Sequence, residues 1–208
     1  MFLSVYAENK ILPAPVAQWK FDAASSGKVT VSQVIDSQKN PLNGSDIVGM
    51  PMWASTGKSV KFGGKDAIGI RSGNADNKLD FNGALTVFAR IKADMSDTYQ
   101  SQAAKIITRL KTGGGYKGLS WELLNKRWGI YSFTIWNNKK AYSVNVHAGQ
   151  WNGKFGDNTW LNLFAVFTPD KSIALYAYAP DGKLLKHKII PVSFKSFDAN
   201  KNQRHTCI

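Results

Sequence analysis

The sequence predicts an all-β sandwich of two antiparallel sheets, and three observations carry that expectation. The stretch from Asp157 to Lys183 holds two runs of aromatic and branched residues, separated by Thr168-Pro169-Asp170 and closed by Pro180-Asp181-Gly182. Each Pro presets φ and each Asp can bond its own backbone, so the runs read as successive strands joined by tight turns. Helical periodicity is scarce, whereas short strand-like runs recur along the chain with turn residues between them, the spacing of a sandwich. Finally, 208 residues with 43% hydrophobic and 12% aromatic content can bury a sizeable core, which excludes a disordered chain.

Taken in order, Val16 to Phe21 is a short first strand. Residues 22 to 58 are dense in Gly, Pro, Asn, Asp and Ser and form an irregular region with sharp turns. Ser59 to Phe62 and Ala67 to Arg71 form a hairpin around Gly63-Gly64-Lys65-Asp66. Leu85 to Ala93 alternates, with Leu85, Val87, Ala89, Ile91 and Ala93 on one face and Thr86, Arg90 and Lys92 on the other. Further strands are expected at Lys105 to Leu110, Gly118 to Leu124, Trp128 to Trp136, Ala141 to Ala148, Trp160 to Thr168, Ile173 to Ala179 and Leu184 to Ile190. In the run ending at Trp136, the residues Tyr131, Phe133 and Ile135 share the core side while Trp136 faces away. No run is apolar enough to span a membrane as a helix, and the single Cys207 excludes an internal disulfide.

The two ends carry their own signals. Phe2 to Ala7 is apolar and closes in Val5-Tyr6-Ala7, a pattern like a signal-peptidase site. Residues 1–7 therefore read as the remnant of an export signal and residues 8–208 as one domain, secreted or held at a cell surface. Gln203 to Ile208 reads like the start of a strand that stops abruptly, as if a closing C-terminal strand were lacking.

Five motifs in order resemble the laminin-G-like jelly rolls of the concanavalin A-like lectin/glucanase superfamily. Val16-Ala17-Gln18-Trp19-Lys20-Phe21-Asp22 looks like that family's first strand, and Asp36-Ser37 through Asn40, Gly44, Gly49, Pro51 and Trp53 resembles its long turn-rich loop. Ser59 to Gly64 with Asp66 and Ile68 is similar to its Asp-Gly hairpin, and Leu79-Asp80-Phe81 followed by Leu85-Thr86-Val87 to its next strand entry. The passage from Asp157 to Lys183 completes the series. The resemblance covers about Val16 to Lys183 and implies a jelly-roll sandwich with Trp19, Trp53, Trp121 and Trp160 in structural core positions. It also implies calcium, for which Asp66 is the carried-over position and Asp22 and Asp36 are additional oxygen donors from adjacent loops. Gly63 departs from the pattern, because the family often has Asp there.

Glycan chemistry on such a fold takes two routes. Hydrolysis needs paired carboxylates flanking the scissile bond, but the chain has only Glu8 and Glu122 as glutamates, and Glu122 has no carboxylate two or five positions away. β-Elimination needs a base and a group that neutralises the sugar carboxylate. In Tyr142-Ser143-Val144-Asn145-Val146-His147, the residues Ser143, Asn145 and His147 share one face, which a polar binding cleft would show. A lyase would use His147 as base beside Asn145.

Charge and aromatics favour binding over turnover. Twenty-seven Lys and Arg against 14 Asp and Glu give a formal net charge of +13, a field that attracts polyanions. No recognition helix, zinc spacing or nucleotide signature is present, so nucleic acid is not the expected partner. Sugar rings stack on Trp and Tyr, and Trp136 and Trp151 stand beside exposed Asn-rich turns. The sequence therefore reads as a non-catalytic carbohydrate-binding or adhesion module for anionic polysaccharide or a cell surface. Its carbohydrate-binding residues are expected to be Trp136, Trp151, Ser143, Asn145 and His147. The alternatives are a lyase acting on uronate-containing glycans and a self-assembling structural protein of a cell surface.

Overall fold

Strict alternation of large apolar residues with polar ones builds most of the strands and also decides which face of each is buried. The computed structural model describes residues 15, 17–22, 25–38, 43–63, 65–70, 83–92, 104–110, 119–126, 129–137, 140–147, 159–196 and 205–208. Among these, a single-turn 3-10 helix, Val31–Gln33, precedes thirteen strands. They are β1 (Asp46–Val48), β2 (Met52–Trp53), β3 (Val60–Lys61), β4 (Ala67–Ile70), β5 (Leu85–Lys92), β6 (Ala104–Leu110), β7 (Leu119–Lys126), β8 (Ile130–Asn137), β9 (Lys140–His147), β10 (Trp160–Thr168), β11 (Ser172–Tyr178), β12 (Leu184–Pro191) and β13 (His205–Cys207).

The fold is an all-β sandwich, as the sequence predicts. A seven-stranded sheet has the order β1-β4-β13-β6-β7-β8-β9 and a four-stranded sheet the order β12-β11-β10-β5, with every pairing antiparallel. A two-stranded ribbon, β2-β3, stands apart. Leu161, Leu163, Ala165 and Phe167 of β10 and Ile173, Leu175 and Ala177 of β11 point inward against Trp121, Leu123, Tyr131, Phe133, Ile135, Val144 and Val146 of the larger sheet. Burying each large side chain here contributes about 1.5–3 kcal/mol. The exposed ion pair of Lys195 with Asp170, at 4.0 Å, adds little beside that. A second cluster of Val29, Val34, Trp53, Ile68 and Ile70 sits under the β4 end of the larger sheet, with Ala17, Trp19 and Phe21 packed against it.

The turns around β11 follow the expected chemistry. Between β10 and β11 the Lys171 amide donates to the Thr168 carbonyl at 3.1 Å, and Asp170 takes the left-handed conformation at φ 54°. After β11, Asp181 accepts from the Lys183 amide at 3.0 Å and Gly182 adopts φ 87°.

Four expectations need correction. Val16 to Phe21 is not a strand over its described residues. Trp19 makes one isolated bridge to Asp36, whose carboxylate accepts from the Gln18 amide at 2.9 Å where a strand neighbour would otherwise bond. The irregular region from 22 to 58 contains two short strands, β1 and β2. The hairpin around residues 63–66 does not form either. The chain turns there, but β3 pairs with β2, while β4 has both edges taken by β1 and β13. Trp160 lies outside the core, because β10 buries its odd-numbered residues and Trp160 falls on the opposite face, under the Arg90 guanidinium at 5.6 Å.

Candidate functional site

The β6–β9 part of the larger sheet has an apolar inner face and a polar outer one, and the outer face follows from register. Thr108, Glu122, Thr134 and Ser143 are paired in sequence across four strands, so their side chains form one row. The next row holds Leu124, Ser132 and Asn145, and the one beyond pairs Ile130 with His147. On the other side of the Thr134 row, Trp136 opposes Ala141. From the Trp136 row to the His147 row the face is roughly 20 Å long at strand rise.

Three polar atoms on this face stand out. Ser132 Oγ, Asn145 Oδ1 and Thr108 Oγ1 are buried and have no hydrogen-bond partner, although Ser132 and Asn145 are directly opposite each other. Their neighbours are satisfied: Thr134 Oγ1 and Ser143 Oγ lie 2.8 Å apart in a hydrogen bond. Nearly all buried polar groups in native proteins are bonded. Ser132 Oγ and Asn145 Oδ1 thus form a cross-strand pair of buried oxygens without a hydrogen bond.

The structure places Ser143, Asn145 and His147 together on the outer side of β9, with Ser143 and His147 exposed, and adds half-buried Trp136 to the same face. Trp151 lies outside the described residues. Ser132, Thr134 and Thr108 are the residues that sequence reasoning missed, while Glu122 enters it only as a carboxylate lacking a second one at hydrolytic spacing. The signal was present on β8, where small polar residues alternate with Tyr131, Phe133 and Ile135, but the strand opposite could not be read.

The same face lacks a hydrolytic pair. Glu122 is the one carboxylate among the described outward residues of β6 to β9, and its cross-strand neighbours are Thr108 and Thr134. The other carboxylate in its register row, Asp46 on β1, lies four strand spacings away. That is roughly 19 Å, against the ~5–9.5 Å between the carboxylates of glycosidases.

Two of the three aspartates expected to hold calcium, Asp66 and Asp36, bond backbone amides. Asp66 accepts from the Met50 amide at 2.8 Å and the Gly63 amide at 2.6 Å, so each of its oxygens takes a backbone N–H. Gly49, at φ 74°, and Gly63 make room for it, since a Cβ at either position would press on that carboxylate. Asp36 Oδ1 accepts from the Gln18 and Gln38 amides, and Asp22 is exposed. Among the described residues no three His, Cys, Asp or Glu side chains are grouped to hold a metal ion. The three aspartates do not fit a shared calcium site.

The arrangement defines a class, a β-sandwich whose larger sheet carries a polar face with no second carboxylate beside Glu122 among the described residues. Solved structures similar to it include receptor-binding and binding domains of botulinum neurotoxins. The C/D mosaic domain matches with a TM-score of 0.56 at 17% identity, over 88% of this chain and 46% of that one. A second structure of the C/D mosaic domain, with tetraethylene glycol bound on its Hcn sub-domain, gives 0.58 at 18% identity, over 91% and 45%. The serotype D binding domain gives 0.56 at 17%, over 88% and 45%. The chain thus spans less than half the length of these proteins, and the likeness is one of fold. No protein-family model matches the sequence, and the search of curated proteins found no relative.

Proposed function

We propose that the chain is a non-catalytic carbohydrate-binding module of an exported or surface-held protein, with a laminin-G-like jelly roll as its framework. The observation that carries this is the outer side of β9, where Ser143, Asn145 and His147 stand in one line along the strand with Ser143 and His147 exposed. Their polar groups suit sugar hydroxyls, and half-buried Trp136 on neighbouring β8 adds a ring to the same face. Among the described outward residues of β6 to β9 no second carboxylate stands beside Glu122, which accords with binding without hydrolysis. That similar solved structures include neurotoxin receptor-binding domains accords with a recognition role.

The test is a glycan array probed with the whole chain and with Asn145→Ala and His147→Ala. Binding to a defined glycan, weakened about tenfold by either change through loss of one hydrogen bond, is the expected result. A blank array, or hits indifferent to both substitutions, would overturn the proposal. Uronate-bearing hits are then incubated with the protein and followed in the ultraviolet. A rising absorbance from the unsaturated product would replace the binding module with a lyase.

A further inference from the structure

The opposite outer face of the sandwich differs chemically from the polar one. On the four-stranded sheet, Phe88, Phe164, Tyr176 and His187 are paired in register and form one row across all four strands. The Phe88 and Phe164 rings are 4.8 Å apart, and those of Tyr176 and His187 are 5.9 Å apart with planes 11° from parallel. Phe88 is 54% exposed and Ile189, one row over, 51%. Arg90 and the exposed Lys92 stand beside the row on β5. None of the four strands contains an Asp or a Glu.

The solvent side of an antiparallel sheet is ordinarily polar, so a continuous aromatic row with exposed rings marks a contact surface. A second copy of the chain is a poor occupant, because Arg90 and Lys92 would meet like charge within a molecule of net charge +13. An anionic polymer is complementary. Between polymers, spacing decides: neighbouring strands lie roughly 4.8 Å apart, close to the length of one pyranose unit, so successive sugars meet successive strands. Bases need flat, open rings to stack on, whereas Phe164 is tilted 43° against Phe88 and meets Tyr178 edge-on at 5.6 Å.

We infer that this face is a second polysaccharide-binding surface, separate from the polar one and specific for an acidic chain, sulfated or uronate-bearing. The chain lies across the strands along Phe88, Phe164, Tyr176 and His187, while Arg90 and Lys92 meet its charges. The inference shares its ligand class with the function proposed above but rests on different residues, so the two fail separately.

Calorimetric titration of the whole chain with heparin, polygalacturonate, neutral dextran and an oligothymidylate, at low and moderate salt, tests it. Binding of at least one acidic polysaccharide that weakens with salt is expected. Phe88→Ala and Arg90→Ala should each weaken it by about tenfold, while Lys58→Ala, which removes an exposed charge between β2 and β3, leaves it unchanged. Phe88 and Arg90 are both exposed, and a retained thermal midpoint verifies each variant's fold. Absence of binding to both polyanions, wild-type affinity in both the Phe88 and Arg90 variants, or equal loss on Lys58→Ala would overturn the inference. Tighter binding of oligothymidylate through the same residues would overturn it too, reassigning the face to nucleic acid.

Discussion

At the scale of single residues, unused and fully used oxygens make opposite predictions. The Ser132 hydroxyl is buried without a partner, so removing it relieves a desolvated group rather than breaking a bond. Ser132→Ala should leave stability unchanged or raise it by up to about 1 kcal/mol, read as the urea midpoint at constant slope. Asp66 is the reverse case. Asp66→Asn presents an NH₂ group to one of the two amides now bonded at Met50 and Gly63. It should cost about 1–2 kcal/mol in the same experiment. The sequence showed Asp66 as a ligand-like residue because a carboxylate in a Gly-rich turn suits a metal and a backbone staple alike. Only the positions of two amides, one of them 16 residues away, distinguish them.

At the scale of elements, the long alternating strands were legible and the short ones were not. β5 and β7 to β12 fall within a few residues of where periodicity puts them, and β10 matches its expected bounds. The β1 and β2 segments carry two or three strand residues each, too few for a period; β1 is held by β4, beyond the next two strands, and β2 by β3 across a short connection. Trp160 shows the limit of a resemblance set against parity: the family position implied core, but alternation with Leu161 and Leu163 sends it outward. The turn between β10 and β11 yields its own prediction. Asp170 holds φ 54°, which a β-branched residue tolerates poorly. Asp170→Val should cost about 1–2 kcal/mol, and Asp170→Gly only a few tenths, by thermal denaturation. Equal losses would show that the Asp170 side chain, not the backbone angle, is what matters.

At the scale of the whole molecule, the sandwich shape was readable from composition and strand spacing, while the sheet order was not, because it depends on which distant edges meet. Phe194 illustrates this. Lying beyond β12, it stacks on Phe167 of the smaller sheet at 5.4 Å and on Tyr142 of the larger at 4.7 Å, joining the two layers. Phe194→Ala should destabilise the whole fold by about 3 kcal/mol, with one cooperative transition followed by both near- and far-ultraviolet circular dichroism. A local loosening, seen as non-coincident transitions, would show that the layers do not depend on this ring. The division of labour between the two outer faces also belongs to this scale. The residues that carry it were visible in the sequence, but their grouping into a polar face and an aromatic one required the pairings.

The position of β13 bears on how the molecule reaches this state. Residues 205–207 lie between β4 and β6, and Ile208 exchanges two backbone hydrogen bonds with Ile68. The larger sheet is therefore two separate flaps until a segment synthesised after everything else described here slots between them. Contacts of such wide sequence separation are slow to form. During synthesis the β4 and β6 edges stand open, each able to pair with another chain. Refolding of the purified protein should show a late, rate-limiting phase that protects the amides of β4 and β6 from hydrogen exchange together. Its loss on deleting residues 205–208 would identify β13 as the strand that latches the sandwich.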